Sequence, residues 1–262
     1  MKATLITGAS GGIGEAFARR LASDGHNLVL VARSADKLKA LCSELESKHN
    51  ITAHFVSVDL TGHEADKQLF EETEANAIEV DCLINNAGFG SMGDFAALDP
   101  NRELSMIRLN VSCLVALTHR YLQGMRKRRR GTIINVSSAA GFQPIPFMAV
   151  YAASKAFVTS FSEALAAENR PYGIKILALC PGSTETNFHE NAGMDRALGF
   201  KGQESAEQVV ETALKAIASG RSKVVSGWTN WLVSSGVNFI PNALITRIMA
   251  GSLRDRFQEK QG

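Results

Sequence analysis

Seven short runs of β-branched and aliphatic residues alternate with longer stretches of helical period along this chain of 262 residues: ATLIT, NLVLVA, ITAHFVSV, VDCLIN, GTIINVSS, IKILALC and KVVSG. Runs this apolar have to be covered on both faces once they pair into a sheet. Between them, helical period appears near residues 12 to 24, 36 to 48, 63 to 77, 100 to 126, 150 to 171 and 205 to 219. Strict alternation of strand and helix predicts parallel strands joined by right-handed crossovers. The expectation is therefore a doubly wound α/β fold, a mostly parallel seven-stranded sheet with helices on both faces. Ligands of such sheets bind outside the carboxyl ends of the strands, where strand order reverses, so the residues just after each run carry the functional reading.

No low-complexity linker and no repeat of solenoid length interrupts the pattern, which predicts one domain over residues 1 to 262. Its least regular piece, STETNFHENAGMDRALGFKGQ at 183 to 203, follows a strand end and reads as a variable substrate loop or lid. A C-terminal extension runs from 227 to 262. Its apolar stretch from 231 to 250 is broken by Asn238, Pro241, Asn242 and Arg247, a poor membrane span. A packed terminal segment is expected there in preference to one lying on a membrane.

A net charge of +2 is too mild for a nucleic-acid partner. The one basic cluster, RKRRR at 126 to 130, reads as a solvated helix end favoured by the helix dipole. Cys42, Cys82, Cys113 and Cys180 lie far apart with no C-x-x-C spacing, and the six histidines form no cluster. Reduced thiols and no metal site are expected. MKATLIT leads straight into a glycine-rich turn without room for a targeting peptide, which points to a cytoplasmic protein.

That turn reads TGASGGIGEAFARRLA. Glycines at 8, 11, 12 and 14 allow a tight turn and close approach of backbone to a pyrophosphate, while the helix opening near Gly12 offers unpaired N–H groups to the anion. Following a strand and opening a helix, the motif predicts a dinucleotide site. Its spacing, Thr7-Gly8-x-x-x-Gly12-x-Gly14, resembles that of the short-chain dehydrogenase/reductase family. The resemblance implies a Rossmann-type fold and cofactor contacts from Gly8, Ser10, Gly12, Ile13 and Gly14.

At the end of the second run, Ala32 occupies the position where an acid would hold the ribose 2′-hydroxyl of NAD, and Arg33 follows. Nothing there repels a 2′-phosphate and a guanidinium can clamp one, with Ser10 as a further donor, so NADP is the expected cofactor. By resemblance, Asp59 after the third run caps the adenine, and NNAG at 85 to 88 supplies Asn86, Ala87 and Gly88 beside the nucleotide. Physically, asparagines can pin buried backbone groups, and a small Ala-Gly pair lets a ribose come close.

The fifth run ends in NVSSAAG and the next helix opens with YAASK. Tyr151 and Lys155 share a helix face at i and i+4, so an ammonium can sit beside a phenol and lower its pKa. Reducing a carbonyl creates an alkoxide that needs a proton, the work of such a phenol as general acid, or as base in oxidation. Tyr151-x-x-x-Lys155 matches the family signature, and Ser138, 13 positions before Tyr151, matches its serine in preference to Ser137. The same resemblance gives Tyr151 and Lys155 cofactor contacts and makes Asn110 the fourth active-site residue, kinking its helix and holding a water linked to the lysine. Pro181, Gly182, Thr184 and Thr186, in PGSTET, are expected near the nicotinamide.

Phe89, Phe142, Phe147, Phe188 and Met194 are candidates for an apolar pocket that suits a hydrophobic ketone, an acyl thioester or a steroid-like ring. The resemblance also implies a homodimer or homotetramer formed through the helices near 100 to 126 and 150 to 171. A non-catalytic NADP(H)-binding redox sensor or scaffold is the alternative, against which the intact quartet of Asn110, Ser138, Tyr151 and Lys155 argues.

Overall fold

A computed structural model describes residues 1–184, 204–237 and 240–258. Seven parallel strands, β1 (Lys2–Thr7), β2 (Leu28–Ala32), β3 (Ala53–Ser57), β4 (Glu79–Asn85), β5 (Gly131–Val136), β6 (Ile174–Cys180) and β7 (Lys223–Val225), form one sheet in the order 3-2-1-4-5-6-7. All six strand pairings are parallel. Strand order reverses between β1 and β4, so the crevice opens where Gly8 and Asn86 leave the sheet.

Both faces of the sheet are buried, as the apolar runs require. Ile6, Leu28, Leu30, Ile84, Ile134 and Leu177 face one layer, and their neighbours Leu5, Val29, Val31, Leu83, Ile133 and Ile176 face the other. The first layer is covered by α1 (Gly12–Ser23), α2 (Ala35–His49) and α7 (Ala206–Ala218), with Phe17, Leu38 and Val209 fully buried. The second is covered by α3 (Ala65–Ala75), α5 (Leu114–Arg128) and α6 (Ala149–Asn169). Each such side chain contributes about 1.5–3 kcal/mol by leaving water. Edge strand β3 is more exposed than the inner strands, with Phe55 open to solvent.

The helix expected over 100 to 126 is observed with a break. Asp99 caps α4 (Pro100–Ile107), a π turn occupies Arg108–Cys113, and α5 continues to Arg128. The basic cluster is a largely exposed helix end, as expected, and its arginines are engaged as well. Arg126 donates to Asn169 and stacks on Tyr172, Arg128 donates to the Val80 carbonyl, and Arg130 pairs with Glu79 and Asp81. They tie the end of α5 to β4 and to the turn before β6. The C-terminal extension forms α8 (Trp228–Val237) and α9 (Asn242–Gln258). No helix among the described residues is long and apolar enough to cross a membrane.

Candidate active site

The glycine turn is held by side chains from across the crevice. Thr7 Oγ1 accepts from the backbone N–H of Asn86 and of Ala87, both at 2.9 Å, and Asn86 Nδ2 donates to the carbonyls of Thr7 and Gly8. Gly8 lies at φ +67°, and a β-carbon on Gly14 would stand 2.3 Å from the Gly8 carbonyl oxygen. A side chain at either position would collide with backbone or with Asn86. Gly11 stands at the N-cap of α1 without a side chain to bond the first-turn amides, which leaves them facing the crevice as an anion site. This backbone-walled cradle fits a pyrophosphate.

Around it, Ala9 N–H bonds the Val31 carbonyl, so the turn that carries half-buried Ser10 abuts the end of β2, which exposed Arg33 follows. Asp59 Oδ1 accepts from the backbone and hydroxyl of Thr61, and those bonds, with the nearby Arg33 charge, hold its carboxyl below the usual range. Ile13 turns inward against the core. Pro181 is buried with its carbonyl accepting from Ala139 N–H, Gly182 follows, and Thr184 forms a bridge to Glu204. Thr186, Phe188, Met194 and all but the first two residues of the expected 183 to 203 loop lie outside the described residues.

Asn110 sits in the π turn, 1% exposed. Its amide pairs with the Phe89 backbone in both directions, accepting from N–H at 3.2 Å and donating to the carbonyl at 3.0 Å. A π turn inserts an extra residue and redirects the side chains around it, which is how this polar group meets the strand end instead of the core. Asn110 Nδ2 also reaches Ser154 Oγ, which in turn donates to the Tyr151 carbonyl. A β-carbon on Gly88 would lie 2.9 Å from Asn110 Oδ1 and 3.5 Å from Lys155 Nζ, so the space between Asn110 and Lys155 is kept free of any side chain at that position.

Ser138 and Tyr151 are joined by a side-chain hydrogen bond, and Ser138 Oγ also accepts from Ala140 N–H, opening a short 3₁₀ turn (Ala139–Phe142). Ser137 points the other way. It is buried, donates to the Lys155 carbonyl at 2.7 Å and meets Thr159 Oγ1, so it holds α6 against β5. Lys155 Nζ donates to the Val136 carbonyl at 2.9 Å, 5.8 Å from the centre of the Tyr151 ring.

The electrostatics depart from the expectation of a lowered phenol. Burial pushes the Tyr151 hydroxyl up to about 12, against the pull of its bond to Ser138. The same desolvation brings Lys155 down to about 8. In both groups the loss of water is the largest cause of the shift.

Four of the sequence-selected residues, Asn110, Ser138, Tyr151 and Lys155, thus converge at the carboxyl ends of β4 and β5. Ser154 escaped the sequence reading. A serine three positions after a tyrosine is ordinary in a helix, and only the π turn opposite shows that it links Asn110 to the Tyr151 backbone. A cavity of about 450 Å³ is lined by Phe95, Ile107, Val111, Val150, Ala153, Ser154 and Phe157, so it borders the site network at Ser154 while Tyr151 and Lys155 do not line it.

Comparison with known proteins agrees with this geometry. The family model for short chain dehydrogenases matches residues 2–197. The mouse 17-beta-hydroxysteroid dehydrogenase type 3 is 32% identical over 260 residues, covering 97% of this chain and 79% of that protein. The mouse very-long-chain 3-oxoacyl-CoA reductase is 30% identical over 268 residues, covering 98% and 82%. Among solved structures, a short-chain dehydrogenase from Sphingobium yanoikuyae in complex with NADPH superposes with a TM-score of 0.82 at 30% identity, covering 91% of this chain and 94% of that one. The chain belongs to the short-chain dehydrogenase/reductase family of oxidoreductases, which bind a nicotinamide cofactor and act on hydroxyl and keto groups.

Proposed function

We propose that this protein interconverts a hydrophobic ketone or 3-oxoacyl thioester with its alcohol using NADP(H), and that Tyr151 is the general acid of reduction and the base of oxidation. The observation that carries the reading is the hydrogen bond between half-buried Ser138 and buried Tyr151, with buried Lys155 behind it. A carbonyl oxygen set against these two hydroxyls accepts from both. Ser138 steadies the charge that develops there, and Tyr151 delivers its proton. A phenol raised to about 12 is fully protonated at neutral pH, and an alkoxide is a stronger base than the phenolate left behind, so transfer runs downhill. The nicotinamide, when bound, supplies or takes the hydride.

Lys155, charged at neutral pH, steadies the phenolate as it forms and would hold the nicotinamide ribose of a bound cofactor across the space that Gly88 leaves open. Asn110 fixes the Phe89 segment and, through Ser154, the backbone of Tyr151. Arg33 and Ser10 would hold the 2′-phosphate of a bound NADP(H), in keeping with the NADPH complex of the Sphingobium relative. Half-buried Phe89, Phe142 and Phe147 provide an apolar wall, which suits the substrates named in the two mouse relatives. Self-association is assigned to the outer faces of α4 and α6, where Leu104, Ile107 and Phe157 are exposed.

The test is NADPH consumption with long-chain 3-oxoacyl thioesters, steroid ketones and aliphatic ketones, wild type beside Tyr151→Phe. The variant should bind NADPH normally and lose about 10² to 10⁴ in rate. Equal rates in the two proteins would remove Tyr151 from the chemistry.

A further inference from the structure

The first C-terminal helix, α8, carries its polarity inside out, and the second, α9, leaves part of an apolar stripe uncovered. On α8 the inward positions are Asn230, bonded to the Ser226 carbonyl, and Ser234, 4% exposed. The outward positions are Trp228, 75% exposed, Trp231, 55%, and Leu232, 51%. On α9, Ile245 is buried, while Leu244 and Ile248 stand 50% and 64% exposed and exposed Arg247 and Arg254 flank them on the same side. A helix that only completed a globular core would show the reverse arrangement. These tryptophans are the chain's only two.

Both helices are fastened to one segment of the body. The side chain of Asn230 packs on Gly182, α8 packs on the 3₁₀ turn at Ala139–Phe142, and Gln143 meets Met249 of α9. Their outer stripes therefore emerge beside the same rim. Charge identifies what covers them. Residues 228 to 258, which span both helices, hold three arginines and one aspartate, a net +2 that equals the excess of the whole chain. Tryptophan at the boundary, aliphatic side chains beside it and long cations alongside match the layering of a lipid headgroup region.

We propose that α8 and α9 form a surface-docking element for anionic phospholipid membranes, lying in the headgroup layer without crossing it. The proposal is independent of the reaction assigned above. It also extends the sequence expectation of a merely packed segment, because only the inner face is packed.

The full chain would be mixed with vesicles of phosphatidylcholine alone or with phosphatidylserine added, and binding read by co-flotation and by tryptophan emission. Because both tryptophans lie in α8, a blue shift on anionic vesicles reports burial of this element directly. Arg247→Gln with Arg254→Gln should weaken anionic binding roughly thirtyfold. Trp231→Ser with Ile248→Ser should abolish it, circular dichroism confirming that the fold is kept. Absence of flotation and of any blue shift on either vesicle would overturn the proposal, as would binding that both variants leave unchanged. Concentration-dependent self-association that Trp231→Ser with Ile248→Ser abolishes, without lipid binding, would instead assign the surface to a second copy of the chain.

Discussion

The two halves of the crevice are built on opposite principles. The nucleotide half, from Gly8 to Gly14 and across to Asn86, works by leaving side chains out, so that backbone amides and carbonyls form its walls. The reaction half, from Asn110 to Lys155, works by burying polar side chains and satisfying them against one another. The first half is shaped mainly by local backbone conformation, braced from the end of β4 by Asn86. The second depends on residues far apart in sequence meeting at a strand end, and it carries the desolvation cost of a buried lysine and phenol.

The larger expected effects lie in the reaction half. On the proposed mechanism, Ser138→Ala removes the donor to the substrate oxygen and should lower kcat by about 10² to 10³, with NADPH binding unchanged. A fall in NADPH affinity of similar size would show that the two halves do not work separately.

Lys155 sharpens the contrast through stability. Its ammonium titrates near 10.4 in an unfolded chain and at about 8 in the folded one, so between those values the unfolded chain binds more protons. Stability from this group therefore rises with pH across that window, and at pH 7 the whole penalty, on the order of 3 kcal/mol, is present. Lys155→Met should stabilise the protein by about 2 kcal/mol at neutral pH after the loss of the bond to Val136, while abolishing turnover. A lower Tm in the variant would contradict the burial account.

Gly14→Ala tests the other half. Its new methyl meets the Gly8 carbonyl, so denaturant unfolding should register a loss of about 1–3 kcal/mol and NADPH binding should weaken. The smallest effect is expected at the exposed rim. Arg33→Ala should reduce NADPH affinity about tenfold and leave NADH affinity in place, as measured by fluorescence titration. An equal loss for both cofactors would take Arg33 off the 2′-phosphate.

The glycine turn was readable because its requirement is written in single residues. Positive φ and close approach select glycine wherever they occur, and Gly8 and Gly14 stand where the turn needs them. The strands were readable because burial on both faces removes polar residues from short runs. The choice between Ser137 and Ser138 came from a family spacing, and its physical basis became visible only in the fold, where one hydroxyl turns to Lys155 and Thr159 and the other to Tyr151.

By itself the sequence determined the order of strands and helices, the nucleotide turn and the residue types available for proton transfer, because each follows from local conformation or from period. Tertiary structure alone decided the rest. The π turn that aims Asn110 at Phe89, the engagement of the basic cluster by β4, the raised Tyr151 and lowered Lys155, and the outward tryptophans of α8 all depend on what lies across from a residue. Desolvation and pairing are properties of the surroundings, and a chain read along its length does not contain its neighbours in space.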